Sequence, residues 1–177
     1  RLLCVQEDVA AGMTAMIAGA MAELKIGQPS DLTVDVGPII DEEARAHIAD
    51  YIDEARREGR VLAEAARFGD WAGGSFVAPV IIKLDRVTDL TREIFGPVLH
   101  VVTWKGGELD ALIADINASG FGLTLGVHTR IDSVAAHIAA HAEVGNIYVN
   151  RNQIGAVVGS QPFGGRGLSG TGPKAGG

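Results

Sequence analysis

An α/β fold built on a parallel sheet is what this sequence predicts, and three observations carry that prediction. The second half alternates short runs of branched apolar residues with stretches whose apolar residues recur every three or four positions. Strand, helix, strand, helix, strand with short joins is the order parallel architecture requires. Hydrophobic residues make up 47% of the 177, enough for a sizeable core in one domain. Finally, Gly145 to Gly177 is dense in glycine, almost without periodicity, and leaves from the end of the last strand. Ligands of such sheets bind beyond the carboxyl ends of the strands. A structureless loop longer than about 15 residues is usually functional or disordered. Here Ile154, Val157, Val158, Phe163 and Leu168 argue for function.

In order along the chain, Arg1–Gln6 predicts a buried strand, Leu-Leu-Cys-Val between polar ends. Glu7 and Asp8 open a helix where its dipole favours negative charge. Val9, Met13, Met16, Ile17, Ala20, Met21 and Leu24 supply a core-facing stripe, and Gly27 and Pro29 stop it. After a polar connection, Asp41, Glu42 and Glu43 begin a second helix that Arg56, Arg57 and Gly59 end. Its inner face is Ala44, Ile48, Ile52 and Ala55. Val61–Ala66 reads as a short strand. A glycine-rich turn at Trp71–Gly74 precedes another over Phe76–Ile82, where Pro79 marks an edge or a strand end. Val98–Trp104 is a buried strand. Leu109, Leu112, Ile113 and Ile116 define a helix closed by Asn117-Ala118-Ser119-Gly120. Leu123–Thr129 is a strand, Ile131–Glu143 a helix with Val134, Ile138 and Ala142 inward, and Ile147–Val149 the last strand.

Charge narrows the partners. A net charge of −7, with 15 scattered Lys and Arg, argues against nucleic acid and acidic membrane surfaces, both of which need a basic face. No apolar run approaches the roughly 18 residues that span a bilayer, and no signal peptide is visible. One cysteine forms no internal disulfide, which fits a reducing, cytoplasmic setting. The absence of an initiating Met and the abrupt ends suggest a piece of a longer polypeptide.

Most of the apparent motifs have an ordinary explanation. Gly165-Arg166-Gly167-Leu168-Ser169-Gly170 matches G-x-G-x-x-G, but a dinucleotide fingerprint must lie between strand and helix with an acid about 20 positions on. Pro162 and Pro173 flank it instead. His137 and His141 have zinc-helix spacing, yet Ile138 stands where a metalloprotease needs Glu; a solvated face is the simpler account. His47, His100 and His128 are isolated and read as structural. Cys4, inside an apolar strand, reads as an inert core thiol. Glu93, before Phe95-Gly96-Pro97, is an ordinary surface acid or a carboxylate placed to grip a hydroxyl-bearing ligand.

Glu93-Ile94-Phe95-Gly96-Pro97, together with Pro162-Phe163-Gly164-Gly165 and Ser169-Gly170, resembles the C-terminal half of an aldehyde dehydrogenase. The run Asn150–Gly159, then Gln161–Gly165 and Gly170–Gly177, is similar to the glutamate-γ-semialdehyde (Δ1-pyrroline-5-carboxylate) dehydrogenases. It is particularly similar to the module carried by bifunctional bacterial flavoenzymes of the proline utilization A type. The resemblance spans essentially all 177 residues. It implies the parallel-sheet catalytic domain of the aldehyde dehydrogenase fold, with 1–177 as its C-terminal part and most of the Rossmann cofactor domain lying elsewhere. It implies NAD as cofactor, with FAD confined to a proline dehydrogenase domain that can be fused in the same polypeptide. A small aldehyde is the implied substrate and a homo-oligomer the expected assembly.

Residue by residue, the resemblance matches Glu93 to the acid that holds the nicotinamide-ribose hydroxyls and Phe95 to the ring beside the nicotinamide. Gly155 and Ala156 match the positions whose backbone N–H groups receive the substrate's α-carboxylate, and Phe163 the aromatic that packs on its aliphatic chain. Successive N–H groups in a glycine-containing turn do form an anion nest, and an aromatic suits a short methylene chain. No catalytic residue is assigned within the chain. By this match the nucleophilic cysteine precedes Arg1, the general base lies further upstream, and Cys4 is a later strand cysteine. The intact enzyme would use thiolate attack, hydride transfer to NAD⁺ and hydrolysis of the thioacyl group. Two readings compete: a non-catalytic assembly module of the same fold, which a Cys about four positions before Arg1 would argue against, and a self-standing phosphate-binding domain, which would bind nucleotide alone.

Overall fold

Strands β1 (Leu2–Gln6), β2 (Val61–Glu64), β3 (Val80–Leu84) and β4 (Val98–Trp104) form one sheet in the spatial order β1-β4-β3-β2. The computed structural model describes residues 1–66, 74–153, 157, 159–170 and 173–175. The chain divides into two compact units, Arg1–Gly106 and Gly107–Gly177.

In the first unit β1, β4 and β3 run parallel, with Leu2 opposite His100 and Val80 opposite Val98; β2 is an antiparallel edge carrying an irregularity between Val61 and Ala63. Side chains alternate across the sheet, so each face has its own core. Val80, Ile82 and Val98 pack with Ile48, Ile52 and Ala55 of helix α2 (Glu42–Arg57). Val5, Ile81 and Val101 pack with Met21, Ile17 and Ala18 of helix α1 (Glu7–Ala22). The continuous Val-Ile-Ile run is what a strand covered on both faces needs. Helix α2 begins as expected, the Asp41 carboxylate accepting the Ala44 N–H at 2.8 Å, and ends before Gly59 at φ 68°. Arg56 in its last turn pairs with Asp53 and, at 2.6 Å, with Glu64 on β2.

Several expectations shift. Of the predicted α1 stripe, Ile17, Met21 and Leu24 pack, whereas Val9, Met13 and Met16 are exposed, Met16 by 66%. Apolar residues surround this helix, so spacing alone could not choose the face, and Ala10 and Ala18 complete the packed one. The helix also closes at Glu23, whose N–H is already bonded to Ala20 and Met21 carbonyls, before Gly27 and Pro29. Strand β3 starts at Val80 rather than Phe76; because β3 is interior, Pro79 marks its start and not an edge. Trp71–Gly73 of the predicted turn lie outside the described residues.

In the second unit α3 (Leu109–Ala118) leads to β5 (Phe121–Gly122) and β6 (Thr124–Val127), then α4 (Asp132–His141), β7 (Asn146–Val149) and β8 (Arg166–Gly167). Strands β6 and β7 pair in parallel around α4. The alternation expected as one succession is therefore divided between sheets: β4 joins β1 and β3, and β6 joins β7. Two joints hold the helices. Asn117 donates to the His141 carbonyl at 2.9 Å and accepts the Glu143 N–H at 2.8 Å, while His137 Nε2 meets Asp110 at 2.5 Å. His141 Nδ1 contacts the His137 carbonyl at 2.8 Å. The pair with helical spacing is thus engaged within α3 and α4, and among the described residues no group of three His, Cys, Asp or Glu could hold a metal ion. No described helix is long and apolar enough to cross a membrane.

Candidate functional site

Ile94 is the fixed point of the first candidate segment. It is buried with Ile48, Ile52 and Val98, its carbonyl accepts the Gly96 N–H at 3.1 Å, and the Pro97 carbonyl accepts the Val80 N–H at 3.0 Å. Gly96 lies so close to α2 that a Cβ there would come within 2.7 Å of Ile48 Cδ1. With Ile94 turned inward, Glu93 and Phe95 on either side are turned out; Phe95 is 73% exposed. The Arg1 guanidinium stands 5.0 Å from the Phe95 ring centroid, within cation–π range. An acceptor-only carboxylate two residues from an open aromatic face suits a ligand with a diol and a flat ring. This segment precedes β4 and so lies at the amino edge of the parallel strands. The carboxyl-end rule describes the exit from β7 and not this turn.

Behind the segment, His100 is fully buried. Its Nδ1 is 2.9 Å from the Arg1 carbonyl oxygen, which can only accept, so Nδ1 carries the proton. Nε2 is then the acceptor for the Tyr51 hydroxyl at 2.9 Å. Burial pushes the His100 pKa down, outweighing the hydrogen bond to Arg1 that pulls it up. On β1, burial pushes the Cys4 thiol up to about 11, the behaviour of a packed strand thiol and not of a nucleophile.

The second candidate segment begins where β7 ends. Asn150 adopts φ 54°, which Asn tolerates better than other side chains. Its amide both accepts from the Thr129 N–H at 3.0 Å and donates to the Thr129 carbonyl at 2.9 Å. The chain therefore leaves the strand at a fixed angle. The Arg151 guanidinium then lies 5.1 Å from the centroid of the Tyr148 ring, and Gln153 packs against Gly126. Gly155 and Ala156 lie outside the described residues. A turn follows, with both the Ser160 N–H and hydroxyl on the Val157 carbonyl, and Gln161 Nε2 donates to the Tyr148 hydroxyl at 3.0 Å.

Phe163 is half-buried and paired with Ala175 by two backbone hydrogen bonds of 2.8 and 3.0 Å. The next carbonyl, of Gly164, accepts from the buried Asn146 amide at 3.0 Å and presses on Gly145, where a Cβ would lie 1.8 Å from it. The literal G-x-G-x-x-G forms β8, antiparallel to β5, with Gly167 at φ 59° and the Ser169 hydroxyl accepting the Gly122 N–H at 3.2 Å. Among the described residues it opens no helix, and the dinucleotide reading finds no support there, as it found none in spacing.

Of the predicted site residues, Glu93 and Phe95 share one turn of the first unit and Phe163 belongs to the second. Sequence reasoning did not single out Tyr148, Gln161 or Asn146. The one available signal was Asn146, a polar residue starting an apolar strand. The partnership of Tyr148 with Arg151 and Gln161 exists only in three dimensions.

The family model described as aldehyde dehydrogenase family matches residues 1–177. The chain is 54% identical over 182 residues to the bifunctional protein PutA of Escherichia coli K12, covering 100% of this chain and 14% of that protein. It is 35% identical over 175 residues to a 1-pyrroline-5-carboxylate dehydrogenase of Geobacillus sp. WCH70, covering 98% and 33%. A crystal structure of Bradyrhizobium japonicum proline utilization A, mutant D779W, superimposes with a TM-score of 0.93 at 53% identity, over 99% of this chain and 18% of that one. The chain thus spans a minor part of the length of these relatives.

Proposed function

The chain belongs to the aldehyde dehydrogenase family, and from that premise we propose that it is part of an NAD-dependent dehydrogenase acting in proline catabolism. Its reaction is oxidation of L-glutamate γ-semialdehyde, derived from Δ1-pyrroline-5-carboxylate, to L-glutamate. The observation that carries this reading is the end-to-end match to two kinds of relative: PutA proteins at 50–54% identity and pyrroline-5-carboxylate dehydrogenases at lower identity.

NAD, when bound, accepts the hydride. Everything this chain does is holding. The exposed Glu93 carboxylate suits the two ribose hydroxyls, and the open face of Phe95 suits the nicotinamide. Gly155 and Ala156 offer backbone N–H groups to the substrate's α-carboxylate. Phe163, steadied by Ala175, packs on the methylene chain. The nucleophilic cysteine and the general base lie upstream of Arg1. Positioning is a large catalytic contribution, since misplacement of about 1 Å can cost roughly 10²-fold. An FAD-bearing proline dehydrogenase domain in the same polypeptide and a cytoplasmic homo-oligomer complete the proposal.

In the full-length polypeptide, Phe163→Ala should reduce kcat/KM for glutamate semialdehyde far more than for propanal, by about tenfold or greater for a lost buried aromatic contact. Equal losses for both substrates would remove Phe163 from the substrate site.

A further inference from the structure

Parallel register brings two distant segments together at the amino edge of the first sheet. Leu2 lies opposite His100, so Arg1, just before β1, stands beside the Phe95-Gly96-Pro97 turn that leads into β4. The Arg1 carbonyl is held there twice, by His100 Nδ1 at 2.9 Å and by the His100 backbone N–H at 3.0 Å. The Arg1 guanidinium reaches to 5.0 Å from the centroid of the Phe95 ring, and Phe95 nonetheless remains largely exposed. From this pairing we propose that Arg1 tunes the cofactor site, its positive charge on the Phe95 ring favouring the reduced, neutral nicotinamide over the oxidised, cationic one. The inference rests on the function proposed above, in which Glu93 and Phe95 receive the ribose hydroxyls and the nicotinamide.

Charge separates the two forms of the cofactor. A guanidinium keeps its proton at every working pH. The oxidised nicotinamide is a positively charged pyridinium; a hydride, one proton and two electrons taken from the substrate carbon, leaves the ring neutral. A flat ring resting on Phe95 shares that phenyl group with Arg1, and only the oxidised form then sets like charge against like. A preference between two forms requires an interaction that differs between them. Stacking on Phe95 is common to both and supplies none; the charge of Arg1 does. Glu93, two residues from Phe95, pulls the opposite way. Its carboxylate is the same in every Arg1 variant and cancels when those variants are compared. At an effective dielectric between that of water and that of a partly buried pair, two unit charges on one aromatic ring alter an equilibrium by about fivefold. Hydride acceptance is drawn forward by that factor.

The test is calorimetric binding of NAD⁺, NADH and ADP-ribose to the full-length polypeptide, without aldehyde. ADP-ribose keeps the ribose and lacks the nicotinamide, so it reports an intact fold and nucleotide site in each variant. Arg1→Met removes the charge from an exposed side chain. It should lower the ratio of the NAD⁺ Kd to the NADH Kd about fivefold, with ADP-ribose binding within about twofold of the wild type. Arg1→Gln, also neutral, should repeat the shift, and Arg1→Lys, which keeps the charge and loses the planar stack, should hold the wild-type ratio. Phe95→Leu should weaken NAD⁺ and NADH relative to ADP-ribose. An unchanged NAD⁺ to NADH ratio in the two neutral variants overturns the role of Arg1 and leaves the cofactor surface standing, as does a shift in Arg1→Lys as large as theirs. A Phe95→Leu protein that binds all three molecules in wild-type proportion overturns the cofactor reading of Phe95, and this inference with it.

Discussion

The Tyr51 hydroxyl donates to Nε2 of a fully buried His100 across 2.9 Å, and the other nitrogen of that ring holds the backbone carbonyl of Arg1. The His100 backbone N–H reaches the same carbonyl at 3.0 Å. One side chain thus links α2 to the beginning of β1 through the middle of the sheet. Every polar atom of the imidazole is satisfied, so the pair is a stable component of an otherwise apolar core.

Removing the hydroxyl should be more costly than its contact area suggests. Tyr51→Phe leaves Nε2 buried without a donor, a penalty of about 1–3 kcal/mol. Urea unfolding of the chain should show a lower midpoint with an unchanged slope.

The same histidine should make stability depend on pH. Its folded pKa lies below the ordinary value of 6.5, so between the two values the unfolded chain binds more protons. Stability from the neutral ring is complete above about pH 6.5 and is lost as pH falls through the folded pKa. Denaturant midpoints measured from pH 7.5 down to 5 should decline for the wild type. The His100→Asn variant, less stable throughout, should show a flatter profile.

Two glycines, Gly145 and Gly12, should respond to substitution in opposite directions. A Cβ at Gly145 would lie 1.8 Å from a backbone oxygen that is itself held by Asn146, so Gly145→Ala should cost about 3 kcal/mol or more. Gly12, in the interior of α1, meets nothing within 4 Å, and Gly12→Ala should stabilise by roughly 0.5–1 kcal/mol. Thermal melts of the two variants should move to either side of the wild type.

Cys4 should be a poor target for alkylation. With its thiol raised to about 11, iodoacetamide at pH 8 should label it roughly 100-fold more slowly in the native chain than in denaturant. Cys4→Ala should leave aldehyde oxidation by the full-length polypeptide intact. Mass spectrometry of timed samples reads the first effect and an activity assay the second.

What could be read from the sequence was whatever local chemistry decides. Asp41, the acidic first turn, Arg56 and Gly59 all agree about α2, and the structure caps it there. The helix marked by Leu109, Leu112, Ile113 and Ile116 was equally clear, although it runs on through Asn117 and Ala118 of its expected closing run. Where local signals were indifferent, tertiary packing decided. The methionines of α1 could have faced either way, and Ala10 and Ala18, small enough for close approach to the sheet, took the inner face. Strands β5 and β8, two residues each, are too short to leave a pattern and exist only because each finds the other. For the site, Glu93 was marked by the Phe95-Gly96-Pro97 turn that follows it and Phe95 only by the family resemblance; that both turn outward follows from the burial of Ile94 between them, which the folded chain decides. Tyr148 looked like any strand aromatic, and its contacts with Arg151 and Gln161 arise only in the folded chain.

The register of the sheets also bears on how the chain acquires its structure. Thr124 meets Asn146 across a crossover of about twenty residues, whereas Leu2 must find His100 near the far end of its unit. Loop-closure entropy grows with the logarithm of length, so the longer search costs only about 1 kcal/mol more. Its kinetic effect is greater, because distant pairings slow folding. The β6–α4–β7 unit should become ordered early and β1 late. Because the imidazole of His100 satisfies itself on the Arg1 carbonyl, arrival of the first strand completes a core that until then contains an unsatisfied histidine. Amide protons of β6 and β7 should therefore gain protection in pulse-labelling exchange before those of β1.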